Sequence, residues 1–364
     1  MTERLAVLAA GGTGGHLFPA QALGEVLIAR GWRIVLATDE RGKGLTEGFP
    51  CERRIATPAA TLSGGPLNRA RQVLAITRGI LHARTALKAL QPAVVVGFGG
   101  YPSLPALLAA RSLRLPTVIH EQNAVMGRAN RLLAGGVSAL ARAFPTLINA
   151  PPSVMARAVV VGNPVRPAIR ALAATPYQAP ASEAPLHLFV TGGSLGARVL
   201  SEQVPPAVAA LPAALRQRLQ VAQQTRSEFL EPAAATYRDA GVTAELAPFF
   251  SDMAERWAWS HLVISRAGAS TVGEIAVAGR PAILVPLQIA LDDDQGHNAR
   301  LLAEAGAAVV VREPELTAAR LAEVLAELLG DPDRLGRMAA AARSVATPDA
   351  AERLADLVER AAKR

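Results

Sequence analysis

Three short apolar runs in this chain each end in a glycine-rich turn that opens into a helical pattern. The turns are Gly11-Gly12-Thr13-Gly14-Gly15-His16, Gly97-Phe98-Gly99-Gly100-Tyr101 and Gly192-Gly193-Ser194-Leu195-Gly196. Glycine lets backbone N–H groups close on a ligand, and the helix behind such a turn presents the positive end of its dipole. Two turns lie in the first half of the chain and one in the second. That distribution predicts two nucleotide-fold lobes with phosphate chemistry between them.

The runs around these turns support a parallel sheet in each lobe. In the first, Leu5–Ala10, Arg33–Thr38, Val94–Val96 and Thr117–His120 read as strands, with a short one at Val159–Val161 after a proline-rich stretch. In the second, His187–Thr191, Leu262–Ser265, Ala282–Val285 and Ala307–Val311 read as strands. Strands alternating with helical stretches predict doubly wound sheets that bind ligands at their carboxyl ends. Half of the 364 residues are apolar and few are aromatic, which suits strands covered on both faces. We divide the chain into a Rossmann-like domain at 1–162 and a second at 163–347, with the hinge near 163–166. The terminal stretch 348–364 is amphipathic, with Leu354, Ala355, Leu357, Val358 and Ala361 along one face.

Charge is unevenly spread. Residues 1–162 hold 18 Lys and Arg against 7 Asp and Glu, whereas the remainder holds 20 against 23. The first lobe is therefore expected to meet an anionic surface or substrate. No basic run is interleaved with aromatics, which argues against nucleic acid. The single cysteine, Cys51, excludes an internal disulfide and fits a reducing compartment. The first residues lack the apolar core of a signal peptide. Ala93–Ala110 carries no charge, but Gly97, Gly99, Gly100, Pro102 and Pro105 break it into strand, loop and helix rather than a membrane span.

Several polar residues sit where such turns place ligands. His16 follows the first turn directly. His120-Glu121-Gln122-Asn123 follows a buried strand and reads as a sugar-binding or acid–base cluster. Ser194 lies inside the third turn, and Arg166 supplies a full positive charge near the hinge. Glu274, one to two turns into its helix, is placed to accept both hydroxyls of a ribose. The alternatives are a dinucleotide site at the first turn, where Asp39 lies near the usual ribose acid but Leu17 replaces the third glycine, and a metal site at Asp292-Asp293-Asp294.

Together these segments resemble the MurG family of peptidoglycan N-acetylglucosaminyltransferases. The markers are GGTGGHLFP from Gly11, GFGGY from Gly97, HEQN from His120, GNPVR from Gly162, GGSLGA from Gly192, SRAGASTVGE from Ser265 and QGHNA from Gln295. The resemblance implies an α/β GT-B fold, two Rossmann-like lobes with an interlobe cleft and the terminal helix returning to the first lobe. It implies an inverting, metal-independent transfer of GlcNAc from UDP-GlcNAc to the MurNAc 4-hydroxyl of lipid I, forming lipid II. By motif position, the donor contacts are Thr13, Gly14, Gly15, Asn123, Arg166, Ser194, Phe250, Ala269, Ser270, Glu274, Asp294 and Gln295. The acceptor contacts are Thr13, His16, Gly99, Gly100 and Tyr101. The chain departs from the pattern at Asp294, where relatives often carry His or Gln, and in a longer Gln288–Asp293 loop.

In that scheme His16 is the first choice for catalytic base and Glu121 the second, and no cofactor is expected. Pro66–Leu90 sets Leu67, Val73, Leu74, Ile76, Ile80 and Leu81 beside Arg69, Arg71, Arg78, Arg84 and Lys88. It reads as an interfacial anchor. The resemblance implies a peripheral enzyme on the cytoplasmic face of the bacterial inner membrane, with cell-wall synthesis or division proteins as partners. The rivals are another GT-B glycosyltransferase with a lipid or small-molecule acceptor, a nicotinamide-dependent oxidoreductase and a non-catalytic divisome protein.

Overall fold

A computed structural model describes residues 4–39, 48–58, 65–193, 196–288 and 292–363. Its contacts separate two compact units, Met1–Arg166 with Pro348–Arg364, and Pro167–Thr347.

The first unit holds seven strands: β1 (Arg4–Ala9), β2 (Trp32–Thr38), β3 (Arg53–Ala56), β4 (Val94–Gly97), β5 (Thr117–Glu121), β6 (Ala139–Arg142) and β7 (Ala158–Val160). They form one parallel sheet in the order β3-β2-β1-β4-β5-β6-β7. Alternation along β1 explains the layers. Leu5, Val7 and Ala9 enter one core, while Ala6 and Leu8 enter another. The first core is closed by α2 (Pro66–Leu90) and α3 (Gly100–Ser112) through Ala83, Leu87, Leu104 and Leu107. The second is closed by α1 (Gly14–Ala29) and by the terminal helix Ala350–Ala362 through Leu17, Leu23, Leu354 and Val358. A strand buried on both faces favours apolar residues at nearly every position, which is why Leu5–Ala9 in β1 and Val94–Val96 in β4 read as unbroken runs.

The boundary differs from the sequence division, because residues 163–166 belong to the first unit. His120 Nε2 bonds the Gly162 carbonyl at 3.0 Å, and the Arg166 guanidinium lies 4.5 Å from the centre of the Phe18 ring in α1. Those contacts tie the segment back to β5 and α1.

The second unit holds β8 (Leu186–Thr191), β9 (Leu219–Gln224), β10 (Thr243–Ala247), β11 (Leu262–Ser265), β12 (Ala282–Leu284) and β13 (Ala308–Val310). Its parallel sheet runs β10-β9-β8-β11-β12-β13. Strands β3, β6, β9 and β10 are absent from the sequence reading.

Both orders reverse direction once, at β1/β4 and at β8/β11. Ala9 pairs with Gly97 there, and Thr191 with Ser265. A switch point opens a crevice outside the carboxyl ends of its two strands. All three glycine turns therefore start at switch points.

Candidate functional site

In the first unit, α1 and α3 begin side by side at the switch point. The N-cap of α1 is Thr13, extended at φ −145° and ψ 161°, and its side chain does not cap the helix. The N-cap of α3 is Gly99, which has no side chain to offer. The first four N–H groups of a helix lack intrahelical partners, so two uncapped N-termini make a site for an anion. Gly99 and Gly100 have φ of 78° and 68°, left-handed values that glycine adopts without strain. A Cβ at Gly100 would sit 3.2 Å from His16 Nε2. The second turn thus lies directly against the His16 ring. Thr13 is exposed, Gly14 buried, and Gly15, His16, Gly100 and Tyr101 half-buried around the same end of the sheet.

His16 is held in one orientation. Its Nδ1 lies 2.7 Å from the Phe98 carbonyl. A carbonyl only accepts, so Nδ1 carries the proton and the neutral ring offers Nε2 as a lone pair. Burial lowers the His16 pKa below its ordinary value, against the raising effect of hydrogen bonds to Phe98 and Gln122. His16 is therefore a neutral imidazole at pH 7, the form a proton acceptor needs.

Glu121 is engaged differently. Its carboxylate accepts from Asn123 N at 3.0 Å, Gly127 N at 3.0 Å and Asn130 Nδ2 at 2.7 Å. Burial raises its pKa above the ordinary carboxylate value, and those donors offset only part of that rise. Both oxygens are committed to organising the loop before α4 (Arg128–Leu133). Of the two candidate bases, Glu121 has both oxygens engaged, whereas His16 Nε2 lies against Gly100 at the second turn. Asn123 is half-buried in that same loop.

In the second unit, β11 leads into the helix Ala269–Ala278, whose N-cap residue, Gly268, offers no side-chain cap. Ala269 and Ser270 form its first turn, and Ser270 Oγ is buried without a partner among the described residues. Glu274 lies one turn further on, 6% exposed, and accepts from Trp257 Nε1 at 3.1 Å. Gln295 stands in the first turn of the helix Asp294–Glu304. Its Oε1 accepts from Leu287 N at 3.0 Å and Ala267 N at 3.3 Å. That orientation leaves the amide NH2 as the group able to meet a ligand acceptor. Asp294 Oδ1 is buried without a described partner. Asp293 is paired with Arg312 at 2.8 Å, so one of the three aspartates considered as metal ligands is already neutralised. Phe250 is a core ring, edge-on to Phe189 at 5.9 Å and under the Arg256 guanidinium at 4.5 Å. Ser194 lies outside the described residues.

Some of the supporting residues carried no signal in the sequence. Gln224 Oε1 accepts from Gly192 N and Thr191 Oγ1, each at 3.0 Å, while its NH2 donates to the Gly193 carbonyl at 2.9 Å. It braces the third glycine turn from β9. Asn298 Nδ2 donates to the Ala267 carbonyl at 3.2 Å, bracing the turn before Ala269.

Two family models cover most of the chain. Residues 6–141 match the glycosyltransferase family 28 N-terminal domain and residues 187–354 the C-terminal domain of that family. The chain belongs to glycosyltransferase family 28. It is 64% identical over 362 residues to a Phenylobacterium zucineum protein and 59% identical to one from Caulobacter vibrioides. Each match covers 99% of this chain and 99% or more of the relative. Both relatives are named UDP-N-acetylglucosamine–N-acetylmuramyl-(pentapeptide) pyrophosphoryl-undecaprenol N-acetylglucosamine transferase. Among solved structures, Acinetobacter baumannii MurG matches with a TM-score of 0.79 at 32% identity, covering 98% of this chain and 99% of that one. The calicheamicin glycosyltransferase CalG4 matches at 0.67 with 18% identity and shares the fold. As a family 28 member, the chain has the two-domain GT-B architecture that the resemblance implies.

Proposed function

We propose that this family 28 enzyme transfers GlcNAc from UDP-GlcNAc to the MurNAc 4-hydroxyl of lipid I, with inversion and without a metal ion. The observation that carries the proposal is near-full-length similarity, at 64% identity, to a relative named for that transfer. The geometry supports a division of labour. The second unit holds the donor: the uncapped N-terminus before Ala269 and Ser270 takes the diphosphate, Glu274 takes the ribose, and Asp294 and Gln295 meet the sugar. Arg166, Ser194 and Asn123 add charge and polar contacts to the donor, and the Phe250 backbone meets the uracil. The first unit holds the acceptor diphosphate at the starts of α1 and α3, with Thr13, Gly99, Gly100 and Tyr101. His16 takes the hydroxyl proton.

Lipid I remains in the bilayer, so the first unit docks there. In α2, Val73, Leu74 and Leu81 are at least half exposed, whereas Ile76 and Ile80 pack on the core. The side chains of Leu67 and Arg69 lie outside the described residues. No described helix is long and apolar enough to cross a membrane. The enzyme then works peripherally at the cytoplasmic face of the inner membrane, where cell-wall synthesis and division proteins are its expected partners.

The test is transfer of radiolabelled GlcNAc from UDP-GlcNAc to a lipid I analogue with EDTA present, beside diacylglycerol as the competing acceptor. Product from lipid I alone, undiminished by EDTA, supports the reading. Transfer only to diacylglycerol, or loss of all product in EDTA, removes it.

A further inference from the structure

We propose that Gln224 is a positioning residue that holds the third glycine turn and the segment entering Phe250 at one spacing, so that a single nucleotide engages both. The proposal rests on the second unit's holding the donor, and it concerns how the uracil and phosphate parts of that site are joined.

Strand order places Gln224 between two chain exits. It is the last residue of β9, which lies between β8 and β10 in the sheet. The ladder with β10 ends at Gln224 and Ala247, and the ladder with β8 at Gln223 and Val190. The backbone groups of Gly192, Gly193 and Pro248 fall outside those ladders and need other partners. The Gln224 side chain supplies them on both sides. Towards β8, its Oε1 accepts from Gly192 N and Thr191 Oγ1, each at 3.0 Å, and its NH2 donates to the Gly193 carbonyl at 2.9 Å. Towards β10, the same NH2 donates to the Pro248 carbonyl at 3.2 Å. A backbone N–H only donates and a carbonyl only accepts, so the amide has a single orientation. Both of its lone pairs and both of its protons are used, and the residue is 5% exposed.

These bonds decide what the turn offers a ligand. Gly192 N is taken by Gln224, Gly193 N lies 3.3 Å from Thr191 Oγ1, and Gly196 N donates to the Gly193 carbonyl at 3.0 Å. Those three amides are spent on the turn itself. Phosphate oxygens are left to the far end of the turn, where the helix Arg198–Ala209 starts at Ala197 without a side-chain cap. A Cβ at Gly192 would sit 2.2 Å from Ala197 N, so Gly192 packs on that helix start and fixing one fixes the other.

The two segments joined by Gln224 differ in what else holds them. Gly193 and Gly196 have φ of 79° and 66°, and glycines lose the most conformational freedom when ordered. Phe250 is anchored independently, edge-on to Phe189 and under the Arg256 guanidinium. Gln224 therefore ties a glycine-rich turn to a segment that is already fixed. A nucleotide with its uracil at Phe250 then finds the helix start at the right spacing without having to order the turn.

Binding of UDP and of uridine to the full-length protein tests this, by calorimetry for UDP and ligand-observed NMR for uridine. Gln224→Met keeps the length of the side chain and removes the amide. It is expected to raise the Kd of UDP about tenfold and to leave that of uridine within about twofold. Gln224→Glu, kept protonated by burial beside two carbonyls, retains the acceptor and one donor and falls between. Thr191→Val frees the turn but keeps the Pro248 bond, and it weakens UDP about threefold with uridine unchanged. That variant carries the test if Gln224→Met does not fold. An equal loss for UDP and uridine, or no loss for UDP in any folded variant, overturns the proposal. A wild-type enzyme that binds neither nucleotide removes the donor assignment itself.

Discussion

His16 is fixed by its hydrogen bond to Phe98 and by the closeness of the Gly99-Gly100 turn. Positioned proton transfer contributes about 10²–10⁴-fold to rate. His16→Ala is accordingly expected to lower kcat by about that factor while the KM for UDP-GlcNAc stays within about twofold. Steady-state kinetics at saturating acceptor check it. Glu274 offers a second test at this scale. Its charged hydrogen bonds to a ribose would be worth about 1.5–3 kcal/mol. Glu274→Gln keeps an oxygen for Trp257 Nε1 but loses the charge, so the KM for UDP-GlcNAc should rise about 10- to 100-fold with little change in stability. Isothermal titration with UDP reads the same loss without turnover. His120 makes a prediction about pH. Its pKa is depressed to about 4 by burial, below the unfolded value of about 6.5. Between those values the unfolded chain binds the extra proton. The stabilisation is therefore complete above pH 6.5 and is lost as pH falls towards 4, about 3 kcal/mol in all. Denaturant unfolding at a series of pH values should show that decline, and His120→Asn should flatten it.

At the scale of elements, α2 separates packing from docking. Val73 and Leu74 are 54% and 50% exposed and Leu81 is 59% exposed, all on the helix whose Ala83 and Leu87 are in the core. Leu74→Glu with Leu81→Glu should cost little stability, about 0.5 kcal/mol per site or less. It should release the enzyme from anionic vesicles in flotation assays at low salt while turnover of a water-soluble acceptor is kept. Elements also show what could be read from sequence and why. Among the legible strands, β1, β4 and β11 are buried on both faces and almost wholly apolar. β9 was not, because Leu219–Gln224 ends in Gln223 and Gln224, which are buried only because other groups satisfy them. β3 and β10 are sheet edges, and Arg53–Ala56 and Thr243–Ala247 carry the charge and weak strand propensity that edges tolerate. The site follows the same rule. Glycine turns and the His120–Asn123 cluster are local and could be read. Gln224, Asn298 and Trp257 reach their partners only through the sheet order and helix packing, so spacing along the chain carries no trace of them.

For the whole molecule, the terminal helix belongs to the first unit although it follows the second in sequence. Leu354 and Val358 are fully buried there beside Leu23 and Leu27 of α1. Leu354→Ala should cost about 2–5 kcal/mol. Hydrogen exchange should localise the loss to β1, β2, β4 and β5 and leave β8, β11 and β12 protected. The uneven charge fits the same division, since the basic excess lies in the unit assigned to the acceptor and the bilayer. The central claim is that the second unit grips a uridine-linked sugar with helix N-terminal amides and Glu274 in place of a cation. A crystal structure of the enzyme soaked with UDP-GlcNAc and magnesium tests it most directly. The account predicts the ribose on Glu274 and the diphosphate at the turn before Ala269, with no ion between phosphate and protein. A donor bound to the first unit's turns, or a diphosphate held through magnesium on Asp292 or Asp294, would contradict it.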